Sequence, residues 1–519
     1  MWWGWEGVFD PVTMPTPAPF IPKVPGTGRS RSMLAIWAAF MCLIAVVNYF
    51  HEPWRDEYQA LLLANSSSDF TDVVWRARYE GHPSLWYLIL YLIPNTWDQV
   101  AVAKTLAVGI MAGAGWLIAF RAPFPTAIKA GVLFSFFFCY EYSAFFRQYG
   151  LAVLLFLLAI AALRSDRPGR HWTVFIPLSL LPFTQIYGAL LSAGLFACIV
   201  YMQWRGDRIL STRSGIAAAG LYLIAFAVAI WDVIPAPDGN FHGSWSLEGS
   251  KLLYAMTIPA KAFLPFPALA PWNWDSTLIA EVAGNAGPVL SEWILASVSL
   301  LILTCATLTL RKSRSAQVVF LCSSLFILLF CGLRFHGSLR HQGMIFIAYI
   351  GALWLARTDQ FGNAQGEPVK MRSFLPFILV VQVAAGITMT TVDILLPFSG
   401  SAGTAKFLRE SGRDQNAIFS ACEDRGISIA GALNRPVYYP IIHRKATYME
   451  WNNDRHWGIP VEEHLVEFDS LVTTTPGMLY LTADPLTEDQ LAEHGLVLIH
   501  QCPPTIRSDE SFLLYKREH

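Results

Sequence analysis

Charge is scarce in this sequence. Asp, Glu, Lys and Arg make up 14% of its 519 residues against 54% apolar ones, and mean hydropathy is +0.41. That balance excludes a soluble enzyme of this length and points to a polytopic membrane protein. The formal net charge is only −1, so the whole-chain charge points to no nucleic-acid partner. The phosphate-cradling Walker A pattern, the Gly-rich dinucleotide turn and the nucleophile elbow are all missing, which removes three common routes to chemistry. There is no internal repeat and no long low-complexity tract. Residues 1–31 are rich in Pro and Trp but lack a signal-peptide pattern, and Lys23, Arg29 and Arg31 precede the first apolar run. That run is therefore expected to be a retained helix behind a cytoplasmic segment, 1–32.

What the chain has is long apolar runs. They fall at 33–50, 99–120, 127–144, 150–163, 173–186, 189–204, 215–233, 290–310, 317–333, 343–356 and 373–396, which predicts eleven transmembrane helices. Several lie near the short end of the roughly 17–25 residues that span a bilayer. A further run, 84–94, is placed by the basic residues. These cluster at Lys23/Arg29/Arg31, Arg121/Lys129, Arg164/Arg167/Arg170, Arg205/Arg208/Arg213, Arg311/Lys312/Arg314 and Arg357/Lys370/Arg372. All six clusters share one side, the cytoplasm, only if 84–94 lies along the interface and does not cross; the alternative is a short twelfth span. The loops 51–98, 234–289 and 334–342 and everything after Pro397 then lie on the other side. The loop 234–289, with Trp245, Trp272 and Trp274, is expected to lie on the membrane surface as short helices and turns.

Beyond 397 the composition changes. Residues 405–410, 427–433 and 488–494 read as helices, and 417–421, 436–442, 478–482, 496–500 and 512–516 as strands. The domains expected are the segment 1–32, a transmembrane domain 33–397 and a small extracytoplasmic α/β domain 398–519. Six of the eight cysteines, Cys42, Cys139, Cys198, Cys305, Cys322 and Cys331, lie in or beside apolar runs. Cys422 and Cys502 each follow a predicted strand. Parallel neighbouring strands would bring them within disulfide reach; otherwise they are two buried thiols.

Chemistry-bearing residues gather on the non-cytoplasmic side. The loop after the first run carries His51-Glu-Pro-Trp-Arg-Asp-Glu-Tyr58, in which Asp56 and Glu57 are adjacent carboxylates at a membrane edge. Acids so close to hydrocarbon need water, a partner or a substrate. Trp54, Arg55 and Tyr58 are the aromatic and cationic neighbours a sugar-phosphate site uses, although an exposed loop with ordinary acids has the same spacing. Consecutive side chains point apart, so the two acids are expected to have different tasks. Glu141, Arg147 and Tyr149 form a second cluster, and Arg334, His336, Arg340 and His341 a third. Arginines on this side oppose the positive-inside trend, so each calls for a partner, either a phosphate that matches its fork or simple snorkelling to headgroups. His51, His82, His336 and His341 share this side too, but no tight spacing makes them a metal set. No cofactor is required; a divalent metal is possible but unsupported. Asn65-Ser66-Ser67 matches a glycosylation sequon.

These motifs resemble the GT-C superfamily of polyprenyl-phosphate-sugar-dependent glycosyltransferases, whose members include protein O-mannosyltransferases and lipid A aminoarabinose transferases. Trp54-Arg55-Asp56-Glu57 looks like the family's Asp-Glu pair after the first span. Gly81-His82-Pro83-Ser84-Leu85-Trp86-Tyr87 is similar to its His-Pro-Pro-Leu-Tyr-Tyr stretch, with Ser84 in place of the second proline. Arg147-Gln148-Tyr149 matches in part the Arg-x-Tyr-x-Leu element that opens the fourth span. The only acid near that span is Glu141, several residues earlier than in relatives with a second acid there.

The resemblance implies an all-α, GT-C-like membrane domain followed by the α/β module. It implies a multi-pass protein of a bacterial-type plasma membrane and a donor sugar on a polyprenyl phosphate. It also implies inverting transfer to an acceptor hydroxyl on a glycan, lipid or protein. Asp56 and Glu57 are the expected catalytic pair, with Asp56 as general base. Arg55, His82, Glu141, Arg147, Tyr149, Arg334, His336 and Arg340 are the expected substrate contacts. The rivals are a transporter or flippase of a lipid-linked glycan and a non-catalytic membrane scaffold. Charges collected at one face, with almost none at the centres of the apolar runs, favour chemistry at that face over a crossing path.

Overall fold

The computed structural model describes residues 27–163, 169–240, 245–269, 272–360 and 373–518. Most of the proposed cytoplasmic segment 1–32, and the basic residues Lys23, Arg164, Arg167, Lys370 and Arg372, lie outside the described residues.

The chain begins with α1 (Thr27–Phe50), followed by three short helices, α2 (Arg55–Ser66), α3 (Phe70–Ala77) and α4 (Leu85–Tyr91). The helices α5 (Gln99–Trp116), α6 (Thr126–Leu133), α7 (Tyr149–Leu163), α8 (Arg170–Leu180), α9 (Ile186–Trp204), α10 (Arg213–Asp232) and α11 (Gly249–Phe263) come next. A hairpin, β1 (Pro267–Leu269) and β2 (Trp272–Thr277), leads into α12 (Leu278–Gly284), α13 (Pro288–Thr309), α14 (Arg314–Leu333), α15 (Leu339–Gln342), α16 (Met344–Gln360) and α17 (Phe374–Leu395). Among the described residues, seven helices are long and apolar enough to cross a membrane: Arg31–Phe50, Gln99–Arg121, Ile186–Trp204, Arg213–Asp232, Pro288–Thr309, Arg314–Leu333 and Phe374–Leu395.

All eleven predicted runs contain helix, but not all as unbroken spans. The run 127–144 stops at Leu133 and resumes as a π-turn, Phe137–Glu141. The run 173–186 carries Pro177 inside α8 and tightens into a 3₁₀ turn at Leu181–Phe183. At 84–94 the helix α4 has seven residues; its length of about 10 Å is far below the ~30 Å of a hydrocarbon core. The loop 234–289 departs from expectation: α11 packs against α13 and α14, and Trp274 is buried in the bundle core.

Lipid offers helices no hydrophobic gain from pairing, so close backbone contact must do that work. The α9–α14 pair shows how. A Cβ added at Gly194 would lie 2.8 Å from the backbone nitrogen of Ser323, so only glycine permits this approach.

The C-terminal part holds α18 (Ser401–Glu410), β3 (Ile418–Ser420), α19 (Gly426–Leu433), β4 (Val437–Tyr439), β5 (Arg444–Ala446), α20 (Val461–Thr474), β6 (Leu479–Thr482), α21 (Glu488–His494), β7 (Leu496–Gln501) and β8 (Leu513–Arg517). Six strands form one sheet in the order β5-β4-β3-β6-β8-β7, with β3 parallel to β4 and β6 and the other pairings antiparallel. One face is built on Phe419, stacked at 5.5 Å on Tyr438 and 5.6 Å on Tyr480, with α20 supplying Leu465 and Phe468. Burying a side chain such as Phe419 is worth about 1.5–3 kcal/mol. The strand order corrects one expectation: β6 and β8 separate β3 from β7, so the two strands that precede Cys422 and Cys502 are not neighbours. Both cysteines are buried free thiols.

The helix α2 joins the two parts. Tyr58 and Leu62 pack into the C-terminal core with Leu408, Ile427 and Ile429. Ala60, Leu61, Leu63 and Ala64 pack with Trp86, Tyr87 and Leu90 of α4. The middle of α2, from Glu57 to Ala64, is therefore buried on every side. Gly431 lets α19 press on it, because a Cβ there would fall within the ring of Tyr58.

Candidate active site

The acid pair sits in the first turn of α2, where the helix dipole favours negative charge. The two side chains diverge, as adjacency requires. Glu57 is sealed. Its carboxylate accepts the N–H of Trp54 at 3.3 Å, closing the start of the helix, and the N–H of Phe146 at 2.8 Å. It also meets His51 Nε2 at 3.0 Å, while His51 Nδ1 meets Asp393 of α17 at 2.8 Å. All three side chains are fully buried. Burial opposes a charge on His51, but Asp393 and Glu57 outweigh it and raise the imidazole to about 9. Glu57 thus stands in an anchoring network that ties the end of α1, the start of α2 and the end of α17, away from solvent.

Asp56 points the other way and keeps 27% of its side chain exposed. Arg340 Nη2 donates to its Oδ2 at 2.8 Å, and Arg55 Nε lies 4.0 Å from its Oδ1. Arg147 donates to the Asp56 carbonyl. Burial alone would raise the Asp56 carboxyl; Arg340, Arg147, Arg55 and Arg507 hold it below the usual carboxylate value. Asp56, Arg147, Tyr149, Arg340, Glu141, Trp54 and Trp274 line one narrow pocket. The Nε atoms of Arg147 and Arg340 are buried without a hydrogen-bond partner among the described residues.

Tyr149 is set up by its neighbours. The N–H of Ser338 donates to His341 Nδ1 at 2.9 Å, so that nitrogen carries no proton. Burial and Arg340 keep His341 neutral. Its Nε2 proton is therefore donated to the Tyr149 oxygen, 2.9 Å away. With its oxygen accepting, the phenol retains its own proton as a donor. Two guanidinium groups and one hydroxyl thus converge beside one carboxylate.

Trp54 and Trp274 meet edge to face at 5.5 Å and form the aromatic wall. Trp274 is steered by its ring N–H, which donates to Glu141 at 2.6 Å. Arg340 and Arg507 each lie over both rings, with distances of 4.9–5.6 Å. Arg507 belongs to the C-terminal part, which also supplies Asp509, 2.9 Å from Arg55, Asp424, 3.6 Å from Arg55, and Glu510, which accepts the Arg55 N–H at 3.2 Å.

Of the residues predicted from sequence, Asp56, Glu141, Arg147, Tyr149 and Arg340 come together in the pocket, and Arg55 borders it. His82 is buried nearby, lowered to about 3 by burial and then by Arg147 and Arg340. Arg334 and His336 lie elsewhere: Arg334 sits over Trp245 at 6.0 Å and His336 against Tyr254 at 4.6 Å. Sequence reasoning missed Trp274 as a wall residue, the anchoring role of Asp393, and Arg507, Asp509 and Glu510. Asp393 carried a usable signal, being an acid inside the last apolar run. Among the described residues no three His, Cys, Asp or Glu side chains form a metal set.

No protein-family model matches the chain, and no curated protein matches it. Among solved structures it is similar to ArnT from Cupriavidus metallidurans, crystallised in the apo state. The likeness covers 94% of this chain and 98% of that one, with a TM-score of 0.52 and 13% sequence identity. The chain is an integral membrane protein with an ArnT-like fold, in which a helical membrane domain is followed by a small sheet domain.

Proposed function

We propose that this protein is a membrane glycosyltransferase of the GT-C type that moves a sugar from a polyprenyl-phosphate donor to an acceptor hydroxyl. The observation that carries the reading is the pocket itself. A part-exposed carboxylate, Asp56, stands beside Arg147, Arg340 and the Tyr149 hydroxyl, with a tryptophan wall, at the membrane-edge start of α2. In the reaction the acceptor oxygen attacks the anomeric carbon and gives its proton to Asp56. The bond from that carbon to the phosphate oxygen breaks, and the phosphate leaves with the electron pair. Attack opposite the leaving group inverts the anomeric centre. Arg340, Arg147 and Tyr149 neutralise the charge that grows on the phosphate.

Arg340 has a second task in this scheme. Paired with Asp56 it makes that carboxylate a weak base. A donor phosphate competes for the same guanidinium, and Asp56 gains basicity when the donor is in place. The reading puts the pocket, the loop 51–98 and the C-terminal domain 398–519 on the non-cytoplasmic face of a plasma membrane, with the N-terminus inside, because the positive-inside rule then holds for all six basic clusters. The acceptor is a glycan, lipid or protein hydroxyl.

Donor binding tests it. Arg340→Gln is expected to weaken binding of a polyprenyl phosphate by about tenfold or more, as loss of a charge-assisted contact does. Arg334→Gln, which touches Trp245 and not the pocket, is expected to leave it unchanged. Equal loss for both, measured on protein with an unaltered melting temperature, would move the phosphate away from Asp56.

A further inference from the structure

On the far side of the His51 network lies a second cavity of about 310 Å³, walled by the ends of α1 and α17, the start of α18 and the segment at Cys502. Three carboxyl groups, Glu52, Glu57 and Asp393, gather around His51 and Lys104, whose ammonium donates to the His51 carbonyl at 2.6 Å. Glu52 and Asp393 both line the cavity. Asp393 is 2% exposed and shares its carboxyl group between His51 and the Tyr140 hydroxyl, whereas Glu52 Oε2 is buried with no hydrogen-bond partner among the described residues.

Two helix C-termini, at Phe50 of α1 and Leu395 of α17, end at this cavity, and their carbonyls favour a cation. The start of α18, with Gly400 and Gly403 in the wall, presents the opposite polarity. The rim is apolar and open: Phe50 is 50% exposed, Leu395 74% and Leu396 38%. A cationic end, an anionic end and a greasy lip at the end of two apolar helices match one kind of molecule.

We propose that this cavity holds the headgroup of a zwitterionic aminophospholipid of the phosphatidylethanolamine class. Its primary ammonium sits on Glu52 and Asp393, its phosphate faces the start of α18, and its acyl chains run over Phe50, Leu395 and Leu396. A primary ammonium supplies three N–H donors to these buried carboxyl oxygens. Burial raises Glu52 to about 7, so the bound ammonium also favours its ionised form. The site is separate from the Asp56 pocket and does not depend on the function proposed for it.

The test uses delipidated full-length protein and short-chain phosphatidylethanolamine, phosphatidylcholine and phosphatidylglycerol, with retained lipid counted by native mass spectrometry. Phosphatidylethanolamine is expected to bind one to one, about tenfold or more tighter than phosphatidylcholine, which lacks N–H donors, and than phosphatidylglycerol, which lacks the cation. Glu52→Gln is expected to remove that preference. Gly403→Leu provides a steric check, because Gly403 lines the cavity and a Cβ there meets nothing within 4 Å; it is expected to abolish retention. Equal retention of phosphatidylglycerol would overturn the proposal. So would unchanged binding in Gly403→Leu, or free ethanolamine displacing the lipid at equimolar concentration.

Discussion

Asp56→Asn should lower sugar transfer by about 10²–10⁴-fold, the usual worth of a positioned general base, while the protein still inserts and binds donor. Asparagine keeps the shape and an acceptor for Arg340 but cannot take the acceptor's proton. The donor-side contacts of Arg147, Tyr149 and Arg340 remain in place, so the loss should fall on turnover and hardly on donor affinity. Steady-state rates and donor-binding isotherms for both proteins separate the two. A variant that transfers sugar at the wild-type rate, or that fails only because donor no longer binds, would remove Asp56 from the role of base.

The second large effect belongs to the neighbouring acid and is of another kind. Glu57→Ala removes three contacts at once, to His51 and to the N–H groups of Trp54 and Phe146. Removing one partner from a buried ion pair costs about 3–5 kcal/mol. The melting temperature should fall sharply, and turnover per folded molecule, measured well below it, should stay far closer to wild type than in Asp56→Asn. The network has a pH signature as well. The His51 value is raised from 6.5 to about 9 in the folded protein. Its contribution is therefore complete below about pH 6.5 and is lost as pH rises toward about 9. The stability gap between wild type and His51→Gln should close across that window. A Glu57→Ala protein with normal stability and no activity would return Glu57 to the chemistry.

The part of the site that was legible in the sequence is the part carried by local chain order. Asp56 and Glu57 stand out because adjacent acids after an apolar run are costly, and Arg147 and Arg340 because they break the positive-inside trend. The division of labour between the two acids was half legible: adjacency says that they point apart, but not which one faces solvent. That depends on His51 and Asp393, which are 342 residues apart in the chain and meet only in the fold. Arg334 and Arg340 look equivalent on one short turn, yet six residues of it are enough to put their heads on different neighbours, Trp245 and Asp56.

Five of the six strands of the α/β module were readable in the sequence; the short β5 and the helix α20 were missed. The strand order was not readable, because period-two patterning names a strand without naming its partner. Two strands that each end at a cysteine invited a bridge that the order β3-β6-β8-β7 forbids. The contribution of this module to the site was not readable at all. Arg507, Asp509 and Glu510 are an ordinary charged loop in sequence. They acquire a task only when Gly431 and Tyr58 dock the module onto α2, bringing Glu510 to the Arg55 N–H and Arg507 over Trp54. The apolar runs gave helix positions well, but a run of hydrophobic residues does not show where a π-turn or an internal proline interrupts it.

The central claim is that a sugar leaves a lipid-linked phosphate in the pocket of Asp56 and Arg340. The most direct measurement uses purified protein and a polyprenyl phosphate carrying a radiolabelled sugar, with a panel of hydroxyl-bearing glycan, lipid and protein acceptors. The account predicts that label passes to an acceptor with inverted anomeric configuration, that polyprenyl phosphate is released in equal amount, and that both stop in Asp56→Asn. Label that crosses a vesicle membrane still attached to its lipid, with no phosphate released, would contradict it and make the protein a carrier of lipid-linked sugar.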